Sequence, residues 1–319
     1  MTMIREQNHV PFELAGQRLD KVAAQLFDNF SRAELARYIG TGALVADGEH
    51  LKAKYKVLGG ELLELEVERI SPEAWDAAEP IALDVLYEDE HLLIINKPVG
   101  LVVHPGAGNR AGTLVNGLLH YRPALGELPR AGVVHRLDKD TSGIMVVAAS
   151  GLGFKELSAA IQTRQVHRAY SAVCEGRMVA GLDIAKAIGR DPHVRTRQAV
   201  RDDGKAAFTA IRVVQRFRAQ TLVSARLESG RTHQIRVHMQ SIGHPLLGDS
   251  RYGARARVPL AASSETLDCI RGFKRQALHA RELRFVHPGN GENVEFRAPW
   301  PADFSTLVAV LRADDDAHS

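Results

Sequence analysis

Long apolar runs, paired cysteines and metal-ligand motifs are all missing from this chain of 319 residues. No stretch approaches the roughly 18 consecutive apolar residues of a membrane-spanning helix. The opening run Met1-Thr2-Met3-Ile4-Arg5-Glu6-Gln7-Asn8-His9 has no apolar core of the kind a secretion signal needs, so the expected location is the cytoplasm. The two cysteines, Cys174 and Cys269, stand far apart, and neither lies in a Cys-x-x-Cys, which excludes a four-cysteine zinc site. The 14 histidines are scattered without a His-Glu-x-x-His, and no metal is expected. No repeat with a period of 20–50 residues is present, which excludes a solenoid or propeller.

What is present suits a globular protein: 45% hydrophobic and 25% charged residues, enough for one large domain or two with real cores. The net charge of +3 says little about partners, but its distribution says more. Between Lys186 and Arg257 there are 15 Lys and Arg against five acids, an excess that leaves the rest of the chain net negative. Five acids cannot neutralise fifteen bases locally, so this stretch is suited to phosphate.

Residues 16–69 read as a small module. Leu19, Val22, Ala23, Leu26 and Phe27 have helical spacing, and Ser31-Arg32-Ala33-Glu34 is a capping box that opens a second helix through about Ile39. Val45 to Gly48 suggests a strand and tight turn, and Leu63, Leu65 and Val67 alternate with acids along another strand. This order resembles the S4 RNA-binding fold, with Arg32, Arg37, Lys52, Lys54 and Lys56 as its RNA-facing cations. Eight bases against nine acids from Gln17 to Arg69 mean that only one face of the module can attract RNA. Residues 70–82 are acidic, Pro-flanked and aperiodic, as a linker would be. From Leu83 onward many strands and few helices predict a mixed, largely antiparallel α/β (α+β) sheet over 83–312. An acidic tail follows over 313–319.

The most informative segment is His135-Arg136-Leu137-Asp138-Lys139-Asp140-Thr141-Ser142-Gly143, followed by the apolar run Ile144 to Ala149. Loops normally leave charge free in solvent. Here a carboxylate sits between Arg136 and Lys139 on a backbone anchored by a core strand, which suits an acid that must stay ionised and fixed. Three other clusters stand out. Asn96 to Gly106 reads as a rigid turn after the strand Leu92-Leu93-Ile94-Ile95. Arg168-Ala169-Tyr170 lies in a strand, where a tyrosine is usually core. Glu228 to Met239, followed by Gly243 to Asp249, fits strand or helix equally. If extended, Ile235, Val237 and Met239 share a face; if helical, Thr232, Ile235, Arg236 and Met239 do.

The nine-residue run around Asp138 resembles the H-R-L-D-x-x-T-S-G signature of the RluA-type pseudouridine synthases, and the resemblance extends over nearly the whole chain. It implies a pseudouridine synthase catalytic domain with an S4-like domain before it, and an isomerase that needs no cofactor. Asp138 would be catalytic, either as nucleophile or as the base that deprotonates C2′; Tyr170 would stack on the target base, and Arg236 would pair with Asp138. Members more often carry lysine two residues before this tyrosine, so Arg168 departs from the pattern but keeps the charge. Arg136 would fill the gap left by a flipped-out uridine, with His135, Arg231, His233 and Gln234 also binding substrate.

Ordinary glycosidases use two carboxylates. Asp140 is the candidate for a second one here, but nothing in the sequence places it across a substrate. A lone ionised aspartate suits uracil, which spreads the charge it takes from the glycosidic bond over its carbonyls. The segments Leu101 to Asn109, Gly112 to Asn116 and Arg275 to Ala280 resemble members acting on large-subunit ribosomal RNA. The implied partner is that RNA or the assembling large subunit, with no membrane partner and the chain a monomer. A non-catalytic RNA-binding assembly factor would leave Asp138, Tyr170 and Arg236 without purpose, and a nucleoside hydrolase would need an acidic cluster that the sequence lacks.

Overall fold

The computed structural model describes residues 2–27, 30, 32–69, 77–106, 109–194, 196–253 and 256–318. The chain forms two compact units, residues 1–74 and 75–319. The expected cap at Ser31 and most of the expected linker (residues 70–76) lie outside the described residues.

The first unit contains β1 (Thr2–His9), α1 (Leu19–Leu26), α2 (Arg32–Thr41), β2 (Leu44–Ala46) and β3 (Leu62–Arg69). Its antiparallel sheet has the order β1-β3-β2. The alternation read from the sequence explains β3, where Leu63, Leu65 and Val67 are buried against Leu19, Val22, Ala23 and Phe27 of the first helical segment and Leu35 and Ile39 of α2. β1 has no counterpart in the sequence reading, which began the module at residue 16. It pairs with β3 along its whole length, from Thr2↔Arg69 to His9↔Leu62, and packs Ile4 against the core. Its remaining residues are polar or exposed, so it carries almost no hydrophobic signal.

The second unit begins with β4 (Val85–Glu88), β5 (Leu92–Lys97), α3 (Leu114–Tyr121), β6 (Ser142–Ala148), α4 (Gly151–Gln162) and β7 (His167–Glu175). It continues through β8 (Leu182–Ala185), β9 (Ile188–Arg190), β10 (Gln198–Val200), β11 (Phe208–Arg216) and β12 (Gln220–Leu227). It ends with α5 (Gln234–Ser241), α6 (Ser264–Gly272), β13 (Leu278–Val286), β14 (Asn293–Arg297) and α7 (Ala302–Asp316). The main sheet has the order β4-β5-β6-β13-β7-β12-β11-β8, with β14 also on β13. All of its pairings are antiparallel except the short β6–β13 contact, so it is the mixed, largely antiparallel sheet that the strand count predicts.

Both faces of the sheet centre are covered. Tyr170, Ala172 and Cys174 of β7 point into one core and Val173 into another, which Phe304, Leu307, Val308 and Leu311 of α7 fill. Every residue of β6 is buried. Thr113 caps α3 in a reciprocal box with Asn116. The segment left open between strand and helix is helical: α5 buries Gln234 to Met239.

Candidate active site

The loop preceding β6 carries Asp138, and its conformation follows from how β6 enters the sheet. At Gly143, φ is +114° and a Cβ would stand 2.1 Å from the Ala280 carbonyl oxygen of β13. Only glycine permits that approach, which explains the last residue of the nine-residue run. The loop is then held from several sides. Lys97, fully buried, donates to the carbonyls of Pro98, Leu101 and Lys139 at 2.8, 2.9 and 3.0 Å. Arg275 Nη1 donates to the Asp140 carbonyl at 3.3 Å, Gln276 Nε2 to Thr141 Oγ1 at 3.0 Å, and His279 Nδ1 lies 3.0 Å from Ser142 Oγ. The motif Arg275 to Ala280, noted in the sequence only as a likeness, is thus a brace for the Asp138 loop.

Arg236, from the first turn of α5, connects two carboxylates. Its Nη1 donates to Asp138 Oδ2 at 2.9 Å, while Nε and Nη2 make a bidentate pair with Asp249 at 2.7 and 2.9 Å. Burial opposes charge on Arg236, yet the two carboxylates outweigh it and its pKa is raised. Burial likewise pushes the Asp249 carboxyl up, but hydrogen bonds and charge from Arg236, with the amides of Tyr252 and Arg251, bring it below the ordinary value. Asp138 keeps its side chain 19% exposed, toward the cavity.

His233 Nε2 lies 3.9 Å from Asp138 Oδ1, and His233 Nδ1 lies 2.7 Å from the Tyr252 hydroxyl. That hydroxyl accepts the Gln198 amide at 2.7 Å, so its own proton is free to go to Nδ1. His233 then turns an Nε2–H toward the carboxylate. Burial lowers the His233 pKa, favouring this neutral ring, and its backbone is left-handed at φ 56°. The Tyr252 ring also stacks under Arg236, whose Cζ is 5.0 Å from its centroid.

Asp138, His233 and Arg236 border a cavity of about 580 Å³, within the usual range for a ligand site. Tyr170 of β7 is in its wall, and burial raises the tyrosine pKa, so the phenol stays protonated. Arg136 lines the mouth, exposed and without a hydrogen-bond partner among the described residues. Arg231 is half-buried there and donates to the Ala206 carbonyl at 3.2 Å. His135 accepts the Val146 amide on Nε2 at 3.0 Å; burial, then Arg168, holds its pKa down to about 3.

One expectation needs correction. Gln234 borders the cavity, but its amide is used within the protein: Oε1 accepts from Ser229 Oγ and the Arg231 amide, and Nε2 donates to Phe208 O and Thr209 Oγ1. It fixes the turn into α5 and has no polar group left for a substrate. Asp140, the candidate second carboxylate, is not among the lining residues; Glu228 is, at the exposed rim. In the first unit, Arg32 is in an ion pair with Asp20 at 2.9 Å, and Arg37 lies over the Tyr38 ring. Lys52, Lys54 and Lys56 are exposed on alternate residues between β2 and β3. Sequence reasoning gave no role to Lys97, Asp249 or Tyr252; the signals available were the Lys before Pro98 and the Asp after Gly248.

Lys97 carries a prediction of its own. Burial pulls its ammonium down to about 8, against attraction from Asp140 and Asp138. A neutral amine has two N–H groups for three carbonyls, so deprotonation loosens the loop. Turnover is expected to fall as pH rises through about 8. The effect on stability has the opposite sign: the unfolded chain keeps this proton up to about 10.5, so the folded state gains from this group as pH rises between the two values. A rate that drops by pH 9 with no drop in melting temperature, in a limb that Lys97→Met no longer has, is the expected pattern. A flat wild-type profile to pH 9 would count against it.

A family model described as RNA pseudouridylate synthase matches residues 91–241, from β5 to the end of α5. Ribosomal large subunit pseudouridine synthase D of Vibrio parahaemolyticus is 49% identical over 312 residues, 98% of this chain and 96% of that protein. The protein of the same description from Pseudomonas aeruginosa is 49% identical over 315 residues, 99% and 98% of the two chains. Among solved structures, human RNA pseudouridylate synthase domain containing 1 matches with a TM-score of 0.54 at 25% identity, covering 76% of this chain and 90% of that one. Human RNA pseudouridylate synthase domain containing 4 gives 0.55 at 26%, covering 72% and 92%.

Proposed function

Since this chain belongs to the RNA pseudouridylate synthase family, we propose that it isomerises uridines of large-subunit (23S) ribosomal RNA to pseudouridine. The proposed target is the group of clustered uridines in the helix 69 stem-loop. The observation that carries this reading is Asp138 held by Arg236 in the wall of a cavity that Tyr170 also lines. The N-glycosidic bond breaks, the base turns within the cavity, and C5 bonds to C1′; the C5 proton leaves and N1 takes one up. Asp138 serves as nucleophile at C1′ or as base at C2′, with Arg236 orienting it. Tyr170 stacks on the base, and Arg136, free at the mouth, takes the place of the flipped-out uridine. A stem-loop suits such an enzyme because loop bases are already partly unstacked.

The relatives described as synthase D support the choice of RNA. Mapping pseudouridines in large-subunit RNA after reaction with the purified protein tests it. Modification clustered in helix 69 is expected; modification at other large-subunit uridines would make this a synthase with a different target, and none would favour an RNA-binding assembly factor. We further propose that the protein is a cytoplasmic monomer. Among its described residues no helix is long and apolar enough to cross a membrane.

The first unit is proposed to be an S4-like RNA-binding domain, with Arg37, Lys52, Lys54 and Lys56 on its solvent side and Arg32 only partly free because of Asp20. Removing residues 1–70 should weaken RNA affinity by about tenfold or more, as the loss of one or two phosphate contacts would, and relax site choice. The single-turnover rate at saturating RNA should change little. Unchanged affinity and site choice in the shortened protein would count against an RNA role for this unit.

A further inference from the structure

Arg168 occupies an unusual position. It lies on β7 two residues before Tyr170, so both side chains leave the same face of the strand, and both line the cavity. Its residue is only 6% exposed, yet among the described residues its guanidinium has no ion pair and no hydrogen bond; Nε is buried without a partner. Buried guanidinium groups are almost always paired, because an unpaired one costs several kcal/mol. The neighbourhood is shaped to hold it: a Cβ on Gly230 would stand 2.9 Å from Arg168 Nη1.

His135, in the same cavity wall, adds a second observation. Its Nε2 accepts a backbone amide, so the neutral ring carries its proton on Nδ1, and Nδ1 is buried without a partner. In the cavity wall the Arg168 guanidinium therefore keeps unused donors, with the unpaired Nδ1 of His135 packed behind it, and they complement an acceptor oxygen that only the substrate brings. Depth separates the two oxygens an RNA could offer. Arg130, Arg136 and Arg164 line the same cavity but are exposed, and a phosphate would meet them at the rim. Arg168 is buried beside the tyrosine on which the base is proposed to stack.

We propose that Arg168 is a catalytic residue that donates to a carbonyl oxygen of the target uracil and stabilises the charge the base takes up as it leaves the sugar. When the C1′–N1 bond breaks, its electron pair enters the ring and the negative charge is shared between O2 and O4. It stays there, held by the guanidinium, until C5 forms its bond to C1′; the C5 proton then passes to solvent or a nearby base, and N1 takes up a proton from solvent, so the product is neutral. Donors aimed at developing charge in a water-poor site are among the strongest contributors to catalysis. This inference rests on the pseudouridine synthase reading and adds to it the group that stabilises the leaving base.

The test is a cycle between protein and substrate: wild type and Arg168→Met, each with stem-loop RNA carrying uridine, 2-thiouridine or 4-thiouridine at the target. With uridine, Arg168→Met should lower the single-turnover rate on the order of 100-fold while RNA affinity stays within about threefold. Sulfur accepts hydrogen bonds poorly, and its intrinsic effect on the leaving base is common to both enzymes and cancels. The wild type should therefore lose at least about tenfold more than Arg168→Met on one of the two thio substrates. Arg168→Lys, which keeps the charge, should retain most of the rate and be the reference if Arg168→Met does not fold. Equal losses in wild type and variant on both thio substrates would overturn the proposal. So would weaker affinity with a shallower salt dependence and an unchanged rate, which marks a phosphate contact. No reaction of the wild type with uridine would instead count against the synthase reading itself.

Discussion

Asp138→Asn should lower turnover by at least about 10³-fold, within the range a positioned carboxylate supplies to catalysis. RNA affinity should stay within a few fold, because phosphate contacts dominate binding and Asp138 makes none. The fold should survive the change. Arg236 keeps its bidentate pair with Asp249 when the charge on Asp138 is gone, so no buried cation is left unpaired. Single-turnover kinetics with a filter-binding titration on the same RNA separate the two effects. Wild-type activity in Asp138→Asn would remove Asp138 from the chemistry.

Arg236→Met is the more damaging substitution for the protein as a whole. It leaves two carboxylates facing each other without their shared cation, and the Asp249 side chain is completely buried. Breaking a buried pair in this way costs about 3–5 kcal/mol. The larger unit should unfold at clearly lower urea concentration, and turnover should fall on the order of 100-fold even where the variant is folded, since Asp138 loses its orientation. Arg236→Lys should fall between the two, because one ammonium cannot reproduce a fork that serves both carboxylates. A melting transition of Arg236→Met within a degree of wild type would mean that the pair contributes little to the fold.

These expectations differ in how far the sequence alone leads to them. Asp138 was legible because charge next to a core strand is uneconomical unless it is used, and because the nine-residue run around it resembles a known signature. Arg236 was identified as the partner, but its helix was not, since Glu228 to Met239 satisfies two periodicities at once. What decides is Gln234, whose four hydrogen bonds close the turn before α5, and no local pattern announces them. The same property cost Gln234 its expected part in substrate binding. Lys97 was read as part of a turn, because its three acceptors lie on two segments separated by about forty residues. Asp249 and Tyr252 follow a chain reversal after α5, and only the fold reveals that they return to Arg236. Arg168 was visible as a charge in a strand; that it has no partner among the described residues is a fact of packing. β1 escaped because a polar edge strand owes its pairing to β3 rather than to its own sequence.

In the proposed reaction, the cavity around Asp138 exchanges the N1 bond of a uridine for a C5 bond and must release the C5 hydrogen. Tritium release from large-subunit ribosomal RNA labelled at C5 of uridine measures that event directly. Release by the wild type, stoichiometric with the modified uridines and absent with Asp138→Asn, is the predicted result. Tight binding of the same RNA, free or in assembling particles, without any release of tritium would contradict it.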